Sequence, residues 1–124
     1  MGKKILIVDD SATIRQQVNF VLGRQGHQII EAVDGKDGLD KVTKNPDIAA
    51  IVLDQNMPQM TGIEMIIEVK KNPSVAHIPI IILTTESKGQ LIESAKAAGA
   101  SGWLVKPFVP DLLVGAVNKV LGAK

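Results

Sequence analysis

Four short runs along the chain are continuously apolar: Ile5-Leu6-Ile7-Val8, Ala49-Ala50-Ile51-Val52-Leu53, Ile80-Ile81-Ile82-Leu83 and Trp103-Leu104-Val105. A weaker fifth is Gln28-Ile29-Ile30-Glu31-Ala32. The four lack polar alternation and are rich in β-branched residues, the pattern of strands buried on both faces of a parallel sheet. Between the runs the period changes. In residues 12–24, Ile14, Val18, Val21 and Leu22 recur on one helical face, and Gly26 marks a stop. Residues 35–44, 62–71, 88–98 and 110–121 are the other predicted helices. Asn72-Pro73, Gly99 and Gly122 serve as stops, and Pro110 as a first-turn residue. Strand and helix thus alternate five times, which predicts an α/β sandwich around a parallel sheet.

Composition narrows this. Aromatic residues are 2% of the 124, namely Phe20, Trp103 and Phe108, so the core is aliphatic. A chain of this length buries about two-thirds of its surface and needs no covalent staples. With no cysteine, thiol catalysis, thiolate zinc and redox switching are excluded. A formal charge of +1, with no basic run longer than Lys3-Lys4 or Lys70-Lys71, argues against nucleic-acid binding by bulk electrostatics. No apolar run approaches the ~20 residues that span a bilayer. Asp9-Asp10 follow the first apolar run too closely for a signal peptide. The expectation is one cytoplasmic domain, acting neither on nucleic acid nor at a membrane.

The informative feature is how the strands end. The first ends in Asp9-Asp10, the third in Asp54, the fourth in Thr84-Thr85 and the fifth in Lys106. In a parallel sheet these carboxyl ends share one edge, where open α/β sheets bind ligands at the point of strand-order reversal. If the first and third strands are neighbours there, three carboxylates converge, and without compensation at least one takes up a proton. A hard divalent cation resolves the repulsion, and Mg²⁺ favours one or two carboxylates, waters and a phosphate oxygen. Lys106 then offers a positive charge and Thr84 a hydroxyl to phosphoryl oxygens. Asp54 is the natural nucleophile, since aspartate carries acyl phosphates. The reaction class is phosphoryl transfer.

A single aspartate at a strand end is more often a turn former or helix cap. Asp9 or Asp10 could cap the helix after the first strand, and Thr84 or Ser87 the one after the fourth. Four strands ending in such complementary chemistry are harder to explain by capping alone. Asp34-Gly35 reads as a turn, His27 and His77 lack metal-ligand spacing, and Met57, Met60 and Met65 read as packing residues. Gly35-Lys36-Asp37-Gly38 matches no nucleotide-binding fingerprint.

Four fragments in order carry a family resemblance: Ile5-Leu6-Ile7-Val8-Asp9-Asp10-Ser11, then Val52-Leu53-Asp54-Gln55-Asn56-Met57-Pro58-Gln59-Met60-Thr61-Gly62. Ile82-Leu83-Thr84-Thr85 and Gly99-Ala100-Ser101-Gly102-Trp103-Leu104-Val105-Lys106-Pro107-Phe108 complete the set. The chain resembles the receiver domain of two-component response regulators over its whole length, most of all the stand-alone chemotaxis branch. That resemblance implies a flavodoxin-like doubly wound sheet in the order 2-1-3-4-5, known for this family, with five flanking helices. It implies phosphorylation of Asp54 from a phosphohistidine on a sensor histidine kinase. Mg²⁺ would be held directly by Asp10 and Asp54, through water by Asp9, and by the backbone carbonyl of Asn56. Lys106 would pair with phosphoryl oxygens, and the Lys106–Pro107 bond is expected to be cis. Thr84 would be the switch hydroxyl and Trp103 the switch aromatic, a position where tyrosine is common. Gln55 and Thr85 fall at positions of kinetic tuning, and Asn56 and Glu86 flank the site as in chemotaxis regulators.

Chain length adds a further expectation: a single receiver domain over residues 1–124, without an output domain, signalling by a changed binding surface. In the family that surface comprises the fourth helix, fifth strand and fifth helix, here involving Gln90, Leu91, Trp103 and Val109. The resemblance implies a monomeric signalling protein rather than an enzyme, taking part in its own Mg²⁺-dependent phosphorylation and autodephosphorylation. Its implied partners are the kinase, a flagellar motor switch protein and a phosphatase. Two alternatives stay open: a phosphorelay intermediate or phosphate sink, and a small-molecule phosphatase or phosphotransferase.

Overall fold

The computed structural model describes residues 2–85 and 89–122. In chain order the elements are β1 (Lys4–Val8), α1 (Ala12–Gly23), β2 (Gln28–Ala32), α2 (Gly35–Lys44) and β3 (Ala50–Asp54). They continue with α3 (Gly62–Lys71), β4 (Ile80–Thr84), α4 (Gly89–Ala98), β5 (Gly102–Val105) and α5 (Pro110–Val120). All five strands run parallel in one sheet of order β2-β1-β3-β4-β5. This is the doubly wound order the family resemblance implies. The described ends of the predicted elements fall within one residue of the observed ones. Lys88, the predicted start of α4, lies outside the described residues, as do Glu86 and Ser87.

Strand alternation divides the core in two. Leu6, Val8, Ile51, Leu53, Ile80 and Ile82 face α2, α3 and α4, where Val42, Met65, Ile66, Val69 and Ala95 meet them. Ile5, Ile7, Val52, Ile81 and Leu83 face α1 and α5, against Val18, Leu22, Leu113 and Val117. The three central strands are therefore buried on both faces, as their unbroken apolar runs require. The Trp103-Leu104-Val105 run corrects that reading: β5 is an edge strand, and Val105 is 40% exposed. Met57 and Met65 are buried and Met60 packs against them, as packing residues should. No helix among the described residues is long and apolar enough to cross a membrane.

Three of the helices, α1, α2 and α3, begin at side-chain caps. Ser11 Oγ accepts the Ile14 N–H at 3.3 Å to open α1. Neither Asp9 nor Asp10 is the cap of that helix, which leaves both carboxylates for other work. The Asp34-Gly35 turn reading is also corrected: Asp34 caps α2, its Oδ1 accepting the Asp37 N–H at 2.7 Å. Thr61 and Glu64 form a reciprocal capping box at α3, with bonds of 3.2 and 2.9 Å. Each of these caps stands just past a strand's carboxyl end, so the loops there are tightly held.

Candidate functional site

Val8 and Leu53 form the last pair between β1 and β3. The next residue on each strand is an aspartate. Asp9 continues the ladder by donating its N–H to Ala32 O at 3.2 Å, and Gln55 N–H does the same to Leu83 O at 2.9 Å. Asp9 and Asp54 are thereby fixed side by side, 1% and 2% exposed, while Asp10 is exposed. The three carboxylates offer oxygens that all lie within 4.8 Å of one another.

Lys106 crosses to this cluster from beyond β5. Its Nζ is 2.8 Å from Asp54 Oδ1 and 3.2 Å from Asp9 Oδ2. The backbone N–H of Lys106 bonds Thr84 O at 2.7 Å, and the Lys106–Pro107 peptide is cis, as the resemblance implies. Asp9 Oδ1 also accepts the Ser11 N–H at 2.8 Å, and Asp54 Oδ1 the Asn56 N–H at 3.3 Å.

The electrostatics follow from burial. Removal from water pushes the Asp9 carboxyl above its ordinary range; the neighbouring Asp54 charge adds to this, against the Ser11 N–H and Lys106. Burial pulls Lys106 down, but its bond to Asp54 and the charges of both aspartates outweigh this and leave it raised. One ammonium facing three carboxylates leaves negative charge uncompensated. The donors are all hard oxygens, two walled in and one reaching solvent, which fits a Mg²⁺ ion retaining several waters.

The other predicted site residues divide. Thr84 is buried at the end of β4 and shares the sheet face of Ile80 and Ile82. Trp103, paired with Ile82 across β4 and β5, packs half-buried on that same face. The Lys96 ammonium of α4 lies 4.9 Å from its ring centroid. Asn56 is exposed and its Nδ2 donates to Thr85 Oγ1 at 3.1 Å. Gln55 is buried, with its Oε1 accepting the Ile63 N–H at 2.9 Å and its carbonyl the Gly62 N–H at 3.1 Å. Its side chain is thus occupied in holding the start of α3. Glu86 lies outside the described residues.

Two residues at the site escaped sequence reading. Gly62 closes the second family fragment and opens a predicted helix, but neither place announced that it packs so closely that a Cβ there would stand 2.7 Å from Asp54 O. Arg15 donates from Nη1 to Asp9 O at 2.6 Å, a contact no local pattern announces.

A doubly wound domain with an acidic cation pocket at its strand-order reversal, and a lysine reaching into it, is the class that fold and site define. Residues 5–118 match the family model of the response regulator receiver domain, and the chain belongs to that family. It is 38% identical over 120 residues to a chemotaxis protein CheY homolog of Campylobacter jejuni, covering 96% of this chain and 92% of that one. It is 36% identical to the chemotaxis protein CheY1 of Helicobacter pylori, covering 96% and 97%. Among solved structures, chemotaxis response regulator CheY4 of Vibrio cholerae is similar with a TM-score of 0.91 and 40% identity, covering 97% and 99%. Receiver domains bind Mg²⁺ through an acidic pocket, and those of the CheY type are signalling proteins.

Proposed function

We propose that this chain is a receiver that takes a phosphoryl group onto Asp54 from a sensor histidine kinase and passes the signal on as a changed surface. The observation that carries the reading is the buried Asp54–Lys106–Asp9 arrangement, an acceptor carboxylate held opposite a fixed cation. Asp54 attacks phosphorus; the P–N bond to the donor histidine breaks, its electron pair stays on the departing nitrogen, and a proton taken up from water leaves the donor imidazole neutral. Lys106 exchanges its carboxylate contacts for the arriving phosphoryl oxygens, a charge-assisted bond of the strong kind. Asp10, Asp54, Asp9 through water and the Asn56 carbonyl would hold Mg²⁺, which when bound offsets the charge of the carboxylates and phosphoryl group.

Output runs through Thr84 and Trp103, which share a sheet face under α4. The partner proposed is the flagellar motor switch, with the protein acting in the cytoplasm as a monomer and a phosphatase ending the signal. The likeness to chemotaxis proteins spanned nearly end to end supports this choice. The test is labelling by a small acyl phosphate. Asp54→Asn abolishes it, EDTA abolishes it, and Asp10→Asn weakens Mg²⁺ binding. Stoichiometric labelling of Asp54→Asn at its native site overturns the assignment. Pull-down with the beryllium fluoride form separates a motor component from a histidine phosphotransferase, which would mark a phosphorelay intermediate.

A further inference from the structure

Arg15 sits on the first turn of α1 with its side chain 15% exposed, and it holds the acidic loop twice. Its backbone N–H bonds Ser11 O at 3.0 Å, the first intrahelical bond of α1. Its guanidinium donates from Nη1 to Asp9 O at 2.6 Å. The fork itself is held from behind, with Nε donating to Glu31 Oε1 on β2 at 3.1 Å. Glu31 is fixed in turn: Asn19 Nδ2 bonds its Oε2 at 2.9 Å and Lys41 Nζ its carbonyl at 2.7 Å. Both carboxylate oxygens of Glu31 are therefore engaged, and the guanidinium has a defined orientation.

The atom Arg15 grips is the carbonyl immediately before Asp10. That carbonyl and the Asp10 N–H share one rigid peptide plane. Fixing the carbonyl sets the direction in which the chain leaves for Asp10, the one carboxylate of the cluster that is not walled in by the core. Groups that orient ligands from behind typically change metal affinity 10–100-fold when removed.

We propose that Arg15 is a positioning residue for the acidic pocket: through the Asp9 carbonyl it holds Asp10 where the pocket can take a divalent cation. This rests on the reading of the pocket as a Mg²⁺ site. Charge alone predicts the opposite effect, because a guanidinium beside an acidic pocket repels a dication and its loss would tighten binding. A purely structural role predicts a lower melting temperature with unchanged affinity. The sign of the change in Mg²⁺ affinity therefore separates the three roles.

The experiment is calorimetric titration of the folded, metal-free protein with MgCl₂, with thermal melts of each variant. Arg15→Met is expected to weaken Mg²⁺ roughly tenfold, and Arg15→Lys to recover part of that loss, since one ammonium replaces one arm of the fork. Unchanged or tighter binding in Arg15→Met overturns the proposal. Where Arg15→Met does not fold, the charge-neutral Asn19→Ala decides, because it loosens Glu31 without altering the field: weaker Mg²⁺ binding supports positioning and unchanged binding overturns it. Wild-type protein that takes up no Mg²⁺ overturns the cation reading itself, and with it this role, a result distinct from equal affinities in wild type and variant.

Discussion

Lys106 Nζ stands 2.8 Å from Asp54 Oδ1, and the two residues lie 52 positions apart in the chain. This one contact joins the last strand of the sheet to its middle, and it has consequences for stability and for signalling.

Lys106→Ala leaves Asp9 and Asp54 buried without their cation. Breaking a buried pair from one side costs about 3 kcal/mol or more, so the metal-free variant is expected to unfold at lower urea concentration. Mg²⁺ affinity persists or rises as a positive charge leaves, and added Mg²⁺ restores part of the stability. Acyl-phosphate labelling continues, while binding of the phosphorylated form to its output partner falls. Unchanged partner binding by phosphorylated Lys106→Ala would assign that lysine a structural role only.

Gly62→Ala brings a methyl carbon to 2.7 Å from Asp54 O and 3.0 Å from Gln55 Cα. Both are backbone atoms and cannot rotate away, so the loop after β3 must shift. Overpacking of this kind costs about 1–3 kcal/mol. Urea melts should show that loss, and the phosphorylation rate should fall with it because Asp54 is the atom's neighbour. A melt superimposable on wild type would show that the loop yields freely.

His27 provides a pH dependence remote from the acidic pocket. Its Nδ1 accepts the Lys3 N–H at 3.0 Å, which requires a neutral ring, and burial lowers its pKa below the ordinary 6.5. The unfolded chain therefore binds a proton more readily in the window below pH 6.5, and stability rises with pH through that window. His27→Gln, which cannot titrate, should flatten this part of the stability–pH curve. Parallel curves for wild type and variant between pH 5 and 7 would refute the linkage.

Trp103 is the only tryptophan, and the Lys96 ammonium lies 4.9 Å from its ring centroid. A cation over a partly accessible aromatic face contributes about 0.5–1 kcal/mol, which holds the ring against α4. Beryllium fluoride with Mg²⁺ should alter Trp103 emission in wild type and not in Thr84→Ala. Lys96→Met should shift emission toward the activated value before any mimic is added. An emission spectrum unaffected by the mimic would mean that the indole is too bulky to move within this packing.

What the sequence determined alone is local in origin. Unbroken apolar runs placed the central strands because Ile5–Val8, Ala50–Leu53 and Ile80–Leu83 are covered on both faces, and a strand in that setting tolerates no polar alternation. The same local reading located the acids and the lysine at strand ends, since each follows its run directly. It misjudged Asp34-Gly35, where a turn former and a helix cap use the same residue, and β5, because an edge strand and a central one can share a sequence. The meeting of these groups belongs to the tertiary structure. Strand order is set by crossover packing between distant segments, and here the family resemblance supplied it in advance. Only the folded sheet seats Asp9 beside Asp54, brings Lys106 to Asp9 across 97 positions, and lets Arg15 reach the Asp9 carbonyl while Glu31 of β2 steadies it. Such contacts leave no periodicity in the chain, since each depends on which strands lie side by side rather than on any residue's neighbours in sequence.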